Sequence, residues 1–164
     1  MDHEITLRIM TRELCHQFYR TFETDPALYM DMRLFAPYVY NGEAVDRRFA
    51  AQQRPDRVAL LAMLGDEPVG EVILKSIDRE KRECSLSIHM ANDSVKNRGF
   101  GTMAERLAVR YAFEELDLLA VNADAVRKNL RSQHVLEKAG FRQVGEDETF
   151  LCYRCERDGK PCRI

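Results

Sequence analysis

The sequence lacks any long apolar run. The longest one, Val58–Leu64, is far shorter than the stretch of about 20 apolar residues that a membrane-spanning helix needs. The N-terminal residues Met-Asp-His-Glu also lack the basic region and the apolar stretch of a secretory signal. These absences predict a cytoplasmic protein without a membrane partner.

The sequence also lacks an excess of charge of either sign. Its 25 Lys and Arg residues stand against 27 Asp and Glu residues, which gives a formal net charge of −2. No overall positive field is therefore available to hold nucleic acid, and a nucleic-acid partner is not expected. The remaining composition is that of a folded chain: 164 residues, 45% of them hydrophobic, predict a single domain over residues 1–164.

The cysteines follow neither a disulfide nor a metal-binding pattern. Their number is odd and their spacing irregular, which favours reduced thiols in the cytosol. The one close pair lies in a predicted strand, 149–157, where residues three apart point to opposite faces. No second pair follows to complete a zinc site, so no metal is expected. The five cysteines are Cys15, Cys84, Cys152, Cys155 and Cys162.

Hydrophobic periodicity predicts both strands and helices. Three strands joined by the polar turns 65–68 and 78–83 are expected to pair antiparallel. Strand 84–90, helix 102–117 and strand 118–125 form one crossover, which makes those two strands parallel neighbours. The predicted fold class is therefore α/β (α+β), with a mixed, mostly antiparallel sheet flanked by helices. The predicted strands are 6–9, 58–64, 69–77, 84–90, 118–125, 141–144 and 150–154. The first predicted helix is capped by Thr11 and ends before Asp25-Pro26. The other predicted helices are 43–53, 102–117 and 129–139.

Helix 102–117 has a clear apolar face at helical spacing. Two rows of side chains are expected to face the core: Met103, Leu107 and Tyr111, and beside them Ala104, Ala108 and Ala112. Four charged side chains are expected to face away from the core: Glu105, Arg106, Arg110 and Glu114.

A glycine loop, Lys96-Asn97-Arg98-Gly99-Phe100-Gly101, precedes this helix. Its glycines permit a tight turn and a close approach of a ligand to the backbone. The first amides of the helix have no partner within it and lie at the positive end of its dipole, so a phosphate site is predicted. Lys96 and Arg98 would add positive charge. A plain glycine-containing turn is the alternative interpretation.

Two known phosphate motifs fit this loop poorly. A P-loop requires Gly-Lys-Ser/Thr, and Thr102 and Met103 follow instead. The dinucleotide fingerprint matches literally at 99–104, with Asp124 at the end of the next strand. However, the polar loop 91–98 is too long for a fingerprint that directly follows its strand. About 40 residues after Asp124 are also too few for the rest of a doubly wound sheet.

The third interpretation is a family resemblance. The pattern Lys96-x-x-Gly99-x-Gly101 resembles the Gln/Arg-x-x-Gly-x-Gly/Ala pyrophosphate loop of the GNAT superfamily of N-acetyltransferases, with Lys where Gln or Arg is usual. The segment 129–141 reads Asn-Leu-Arg-Ser-Gln-His-Val-Leu-Glu-Lys-Ala-Gly-Phe and resembles the ribosomal-protein N-terminal acetyltransferase branch. The predicted element order also fits the GNAT fold.

The resemblance implies that acetyl-CoA is the cosubstrate. Its pantetheine arm is expected along the open edge of strand 84–90, at the backbone of Ile88, His89 and Met90. This edge is expected to open where strand 84–90 splays from strand 118–125. Asn129 is expected to lie near that arm, to cap the helix that follows it, or to do both. The pyrophosphate is expected on the loop residues Lys96, Asn97, Arg98, Gly99, Phe100, Gly101 and Thr102.

The resemblance also implies which side chains carry the chemistry. Many GNAT enzymes have a Tyr acid at the position that Leu136 occupies here. Ser132 matches the serine suggested as its substitute in the ribosomal-protein branch, with a hydrogen bond to the leaving thiolate as its expected role. The general base is expected to be Asp124 or Glu71, acting directly or through water.

The predicted function is therefore transfer of acetyl from acetyl-CoA to a primary amine, on a protein N-terminus or on a small molecule. A non-catalytic acetyl-CoA-binding sensor is the first alternative, because Leu136 replaces the usual Tyr. A nicotinamide-dinucleotide-binding protein is the second, on the literal fingerprint. The histidines nearby, His89 and His134, are interpreted as solvent-facing. The identity of the acceptor and a homodimeric assembly stay open.

Overall fold

The computed structural model describes residues 4–157. They form seven strands and four α-helices, joined in places by single 3-10 turns. The strands are β1 (Ile5–Ile9), β2 (Val58–Leu64), β3 (Glu67–Asp78), β4 (Glu83–Met90), β5 (Ala120–Val126), β6 (Arg142–Glu146) and β7 (Phe150–Glu156). The α-helices are α1 (Arg12–Thr21), α2 (Gly42–Gln52), α3 (Phe100–Glu114) and α4 (Leu130–Lys138).

All seven strands belong to one sheet, in the order β1-β2-β3-β4-β5-β7-β6. The β4–β5 pair is parallel, and the other neighbours are antiparallel. The predicted crossover and the predicted fold class are therefore confirmed. Because one parallel pair is far from a doubly wound sheet, the topology also removes the dinucleotide-binding alternative.

Strand β3 is longer than predicted. It begins at Glu67, directly after a two-residue turn in which Gly65 has a φ of +63°. The sequence suggested a later start because Pro68 lacks the N–H that a strand ladder uses. Pro68 is accommodated because the β2–β3 register shifts at a bulge between Ala62 and Met63.

Helix α3 packs its alanine row against the sheet, and Ala104, Ala108 and Ala112 are fully buried as predicted. The helix begins at Phe100 and ends at Glu114, whereas the pattern predicted 102–117. Its N-cap is Gly99, in the left-handed region and without a side-chain capping bond, so the usual polar start signal is missing. This start brings the glycine loop into direct contact with the first turn of the helix.

The prediction that Glu105 faces solvent is wrong. Its side chain is only 2% exposed, and it lies on the buried face of α3 beside Ala104 and Ala108. The signal for this placement was Val109, which follows Glu105 by one helical turn and is buried. Burial of a glutamate between apolar side chains destabilises a fold unless the carboxyl group has a hydrogen-bonding partner.

The cysteines within residues 4–157 behave as buried or strand thiols. Burial raises the pKa of Cys15 to about 11 and that of Cys84 to about 12, so both thiols are neutral at physiological pH. Cys152 and Cys155 both lie in β7, as the strand prediction requires. Cys162 lies outside the described residues. The described part of the chain also contains no helix with the length and apolarity to cross a bilayer.

Candidate active site

A cleft opens where the two parallel strands separate. The ladder between β4 and β5 ends at the pair Ser85 and Asn122, yet β4 continues to Met90 and β5 to Val126. Within the described residues, the facing edge of β4 is therefore left without a strand partner beyond Ser85. The cleft has a volume of about 430 Å³, and this is the splay that the sequence resemblance implied.

The N-terminus of α3 closes one end of the cleft. Gly99 has a φ of +80°, and the first intrahelical bond runs from Met103 N to Gly99 O at 3.1 Å. The amides of Phe100, Gly101 and Thr102 therefore have no partner inside the helix, at the positive end of its dipole. A Cβ on Gly101 would lie 3.6 Å from Val135 of α4, an ordinary contact, so the first turn of α3 packs beside α4.

The charged residues of the loop differ in availability. The Lys96 side chain is 10% exposed, and its Nζ lies 3.1 Å from carboxylate oxygens of both Asp25 and Asp93. Its charge is thus largely compensated within the protein. Arg98 is exposed, with its guanidinium carbon 4.6 Å from the centre of the Phe100 ring. Arg98 is the loop cation that remains available to an anion.

The predicted site residues divide into two groups. Those that line the cleft are Ile88, His89, Met90, Lys96, Gly101, Asp124, Asn129 and Ser132. The others lie outside its lining. Asn97, Arg98 and Gly99 are exposed in the loop, and Thr102 is half-buried. Phe100 and Glu71 are buried. The second group still includes the loop amides that adjoin the cleft.

Helix α4 presents its first turn to the cleft. The Asn129 side chain caps the helix, accepting a hydrogen bond from the Ser132 amide at 3.1 Å, so the capping interpretation is confirmed. Asn129 is 9% exposed and also lines the cleft. Leu136 lies one turn after Ser132 and adds a buried apolar wall. His134 is exposed on this helix, as expected.

Asp124 lies on β5, on the side of the cleft opposite β4. Its side chain is exposed, and its register partner across the β5–β7 ladder is Cys152. Partial burial, followed by a hydrogen bond with Asp124, raises the pKa of the Cys152 thiol. A carboxylate that lines an open cleft in this way can accept a proton from a bound ligand.

Glu71 occupies a different environment. It is fully buried on β3 and accepts hydrogen bonds from Tyr19 Oη at 2.6 Å and from Arg48 Nε at 3.2 Å. A second Arg48 nitrogen contacts its other carboxylate oxygen. Both oxygens of Glu71 are therefore engaged by residues of α1 and α2 rather than directed at the cleft.

His89 is the register partner of Glu71 on β4. The interpretation of His89 as solvent-facing is wrong, because its side chain lines the cleft and is partly buried. Burial lowers the pKa of His89, against an opposing effect of Glu71, so the imidazole is neutral at physiological pH. The position is explained by the strand register, which puts His89 on the same face as Glu71.

Sequence reasoning missed the most unusual cleft residue. Glu105 lines the cleft, its buried Oε2 has no hydrogen-bond partner among residues 4–157, and burial raises its pKa to about 8. Further lining residues that were missed come from four separate segments and have no shared sequence signal; they include Phe22, Glu23, Asp25, Leu28, Lys75, Arg131 and Phe150.

Sequence and structure comparisons agree with this geometry. The model of the acetyltransferase (GNAT) domain family matches residues 4–142. This chain therefore belongs to the GNAT acetyltransferase family, which confirms the superfamily resemblance. The resemblance of segment 129–141 to the ribosomal-protein branch stays a prediction. A Bacillus subtilis (strain 168) protein named Probable N-acetyltransferase YjcK is 38% identical over 80 residues. That match covers 49% of this chain and 44% of the Bacillus protein, so less than half of the relative's length is matched.

Solved structures share the whole fold at low identity. A spermidine N-acetyltransferase from Vibrio cholerae, in complex with CoA and spermine, has a TM-score of 0.78 and 16% identity, covering 96% of this chain and 98% of its own. The enzyme AAC(6')-Ib, in complex with paromomycin and acetyl-CoA, has a TM-score of 0.77 and 20% identity, covering 95% of each chain. At these identities the likeness concerns the fold.

Proposed function

We propose that this protein is an acetyl-CoA-dependent N-acetyltransferase that acts on a primary amine. The observation that carries the proposal is the cleft between β4 and β5, with the free amides of the α3 N-terminus at one end and an exposed carboxylate, Asp124, on its wall. This arrangement joins an anion site to a proton acceptor along one open strand edge.

The residues present fit acetyl-CoA. A pyrophosphate matches the amides of Phe100, Gly101 and Thr102, with Arg98 as the adjacent cation. The pantetheine arm carries amides, and an extended amide-bearing chain can pair with the open edge of β4 between Ile88 and Met90. The solved relatives named above were crystallised with CoA or acetyl-CoA, which supports this choice of ligand.

Acetyl transfer makes specific demands on the cleft. The carbon–nitrogen bond forms as the carbon–sulfur bond breaks, the amine loses a proton, and the sulfur leaves as a thiolate. Asp124 is favoured over Glu71 as the base, because Asp124 lines the cleft while both Glu71 oxygens are engaged elsewhere. Ser132 also lines the cleft, from α4, and would donate a hydrogen bond from its hydroxyl to the thiolate, since Leu136 has no proton to give.

The charges of the cleft favour a single amine over a polycation as the acceptor. Its lining residues combine both signs, and one carboxylate, Asp25, is already paired with Lys96. A free N-terminus of a protein or a small primary amine fits such a mixed surface. The acidic lining residues are Glu23, Asp25, Glu105 and Asp124. The basic lining residues are Lys75, Lys96 and Arg131.

The test is release of free thiol from acetyl-CoA in the presence of amines, amino acids, polyamines and peptide N-termini. We expect turnover with at least one single-amine acceptor and heat stabilisation by CoA. Binding of acetyl-CoA without thiol release from any acceptor would instead support the sensor function. Stabilisation by NAD and not by CoA would overturn the proposal. A cytoplasmic location and a homodimer stay predictions, which cell fractionation and light scattering would check.

A further inference from the structure

Glu105 combines three properties that a structural residue rarely has together. It lies within the first two turns of α3, one turn after Gly101, and is 2% exposed. It lines the cleft, and its Oε2 has no hydrogen-bond partner in the described part of the chain. Burial of an unpartnered carboxyl group destabilises a fold, whereas an apolar side chain of similar size would pack there without that cost.

The surroundings of Glu105 favour its neutral form. Burial is the cause of its raised pKa, about 8, so the carboxyl is mostly protonated at neutral pH. A protonated carboxyl has an O–H to donate, and a buried donor requires an acceptor. The cleft is the space from which such an acceptor can come.

We propose that Glu105 binds the acetyl-CoA arm as a neutral acid, donating its proton in a hydrogen bond to an amide carbonyl oxygen of that arm. This inference rests on the proposed function, because it takes acetyl-CoA as the ligand of the cleft. It adds a recognition residue that the glycine-loop motif does not contain. The unmet hydrogen bond of Glu105 would be satisfied when the arm occupies the cleft.

The other titratable groups around α3 leave this assignment testable by pH. On the neighbouring strand β4, the buried Cys84 thiol is neutral, because burial raises its pKa to about 12. The pKa of His89 is lowered, so that imidazole titrates below the range in which Glu105 loses its proton. The charged side chains lining the cleft from the other elements are Lys75 of β3, Asp124 of β5, Arg131 of α4, and Glu23, Asp25 and Lys96 of the connecting segments.

The experiment measures the dissociation constant of acetyl-CoA by calorimetry at about pH 6.5 and about pH 9. Acetyl-CoA has no free thiol to titrate, so the ligand adds no thiol ionisation. We expect wild-type affinity to fall about tenfold between the two pH values, because the proton that Glu105 donates is lost. Glu105→Gln retains an N–H donor and should bind nearly as well, without this pH dependence. Glu105→Leu should bind about tenfold more weakly at about pH 6.5, again without the pH dependence.

Glu114→Gln, at the exposed end of the same helix, is the matched control and should follow the wild type. Circular dichroism and thermal melting of each ligand-free variant establish that it is folded. Equal affinity of Glu105→Leu and wild type at about pH 6.5, or the same pH dependence in Glu105→Gln, would overturn the inference and leave the proposed function intact. A wild-type chain that binds no acetyl-CoA at either pH would overturn both.

Discussion

Two buried glutamates, Glu71 and Glu105, differ in their hydrogen-bond partners. Glu71 is 0% exposed and is held by Tyr19 and Arg48, so its charge is compensated. Glu105 is 2% exposed, lines the cleft and has one oxygen that no described residue partners. The partnered carboxylate joins α1 and α2 to the sheet, whereas the unpartnered carboxyl is available to a ligand. Partners, rather than burial, therefore separate a structural acid from a candidate binding residue.

The largest effect is expected from removing the partner of Glu71. Arg48→Met would leave a buried carboxylate with Tyr19 as its one described donor, and we expect a loss of about 3 kcal/mol in the free energy of unfolding. Urea denaturation measures this. The control is Arg110→Met, which removes an exposed pair with Glu114 and should cost less than about 0.5 kcal/mol. Equal effects of the two substitutions would show that Glu71 does not depend on its partner.

The unpartnered glutamate should give stability a distinctive pH dependence. The pKa of Glu105 is about 8 in the folded chain against 4.5 as its ordinary value, so the folded state retains a proton that the unfolded state releases. This contribution is fully present below about pH 4.5 and is lost as the pH rises to about 8. Between pH 6 and 8 we expect Glu105 to lower the free energy of unfolding by about 2 kcal/mol.

Urea denaturation of ligand-free protein at several pH values isolates this effect. Glu105→Gln should be more stable than wild type at about pH 8. Its free energy of unfolding should also fall less steeply with pH, because the contribution of Glu105 is gone. An unchanged slope in Glu105→Gln would mean that Glu105 is ionised in the folded chain and that the contrast with Glu71 is false.

The first turn of α3 should control affinity rather than stability. In Gly101→Val the Cβ would lie 3.6 Å from Val135, an ordinary contact, while the branched side chain would obstruct a ligand at the helix amides. We expect acetyl-CoA to bind at least about tenfold more weakly, as measured by calorimetry. Gly145→Val on β6, whose Cβ would lie 4.0 Å from Cys152, is the control and should bind normally. Unchanged affinity in Gly101→Val would place the pyrophosphate elsewhere.

The smallest effect is expected at Ser132, which lines the cleft from the first turn of α4. Ser132→Ala removes one hydrogen bond to the thiolate, worth about 1 kcal/mol, and should lower kcat about fivefold. Its backbone amide still donates to Asn129, so the helix cap and the affinity for acetyl-CoA should remain. Steady-state thiol release separates kcat from KM. A rise in KM with kcat unchanged would give Ser132 a binding role instead.

Local patterns predicted much of the fold and part of the site. The strand alternation, the alanine row of α3 and the glycine loop each rest on neighbours within one element, so the β4–α3–β5 crossover followed from the sequence. The start of α3 was placed two residues late, because Gly99 caps it through backbone conformation and leaves no side-chain signal. A bulge likewise concealed the first residues of β3, since Pro68 is unfavourable in a regular ladder.

The surroundings of the two glutamates could not be predicted in this way. Tyr19 and Arg48 are 52 and 23 residues from Glu71 and meet it only in the folded chain. Glu105 was assigned to the outward face of α3 together with three other charged residues, in line with the general exposure of charged side chains. The structure buries it instead, and it lines the cleft.

The most direct test of Asp124-assisted acetyl transfer is thiol release from acetyl-CoA by wild type and by Asp124→Asn, with the best acceptor from the amine panel. We expect turnover in wild type and a decrease of about 100-fold in kcat for Asp124→Asn, with acetyl-CoA affinity unchanged. Equal turnover in the two proteins, or no thiol release by wild type with any amine, would contradict it.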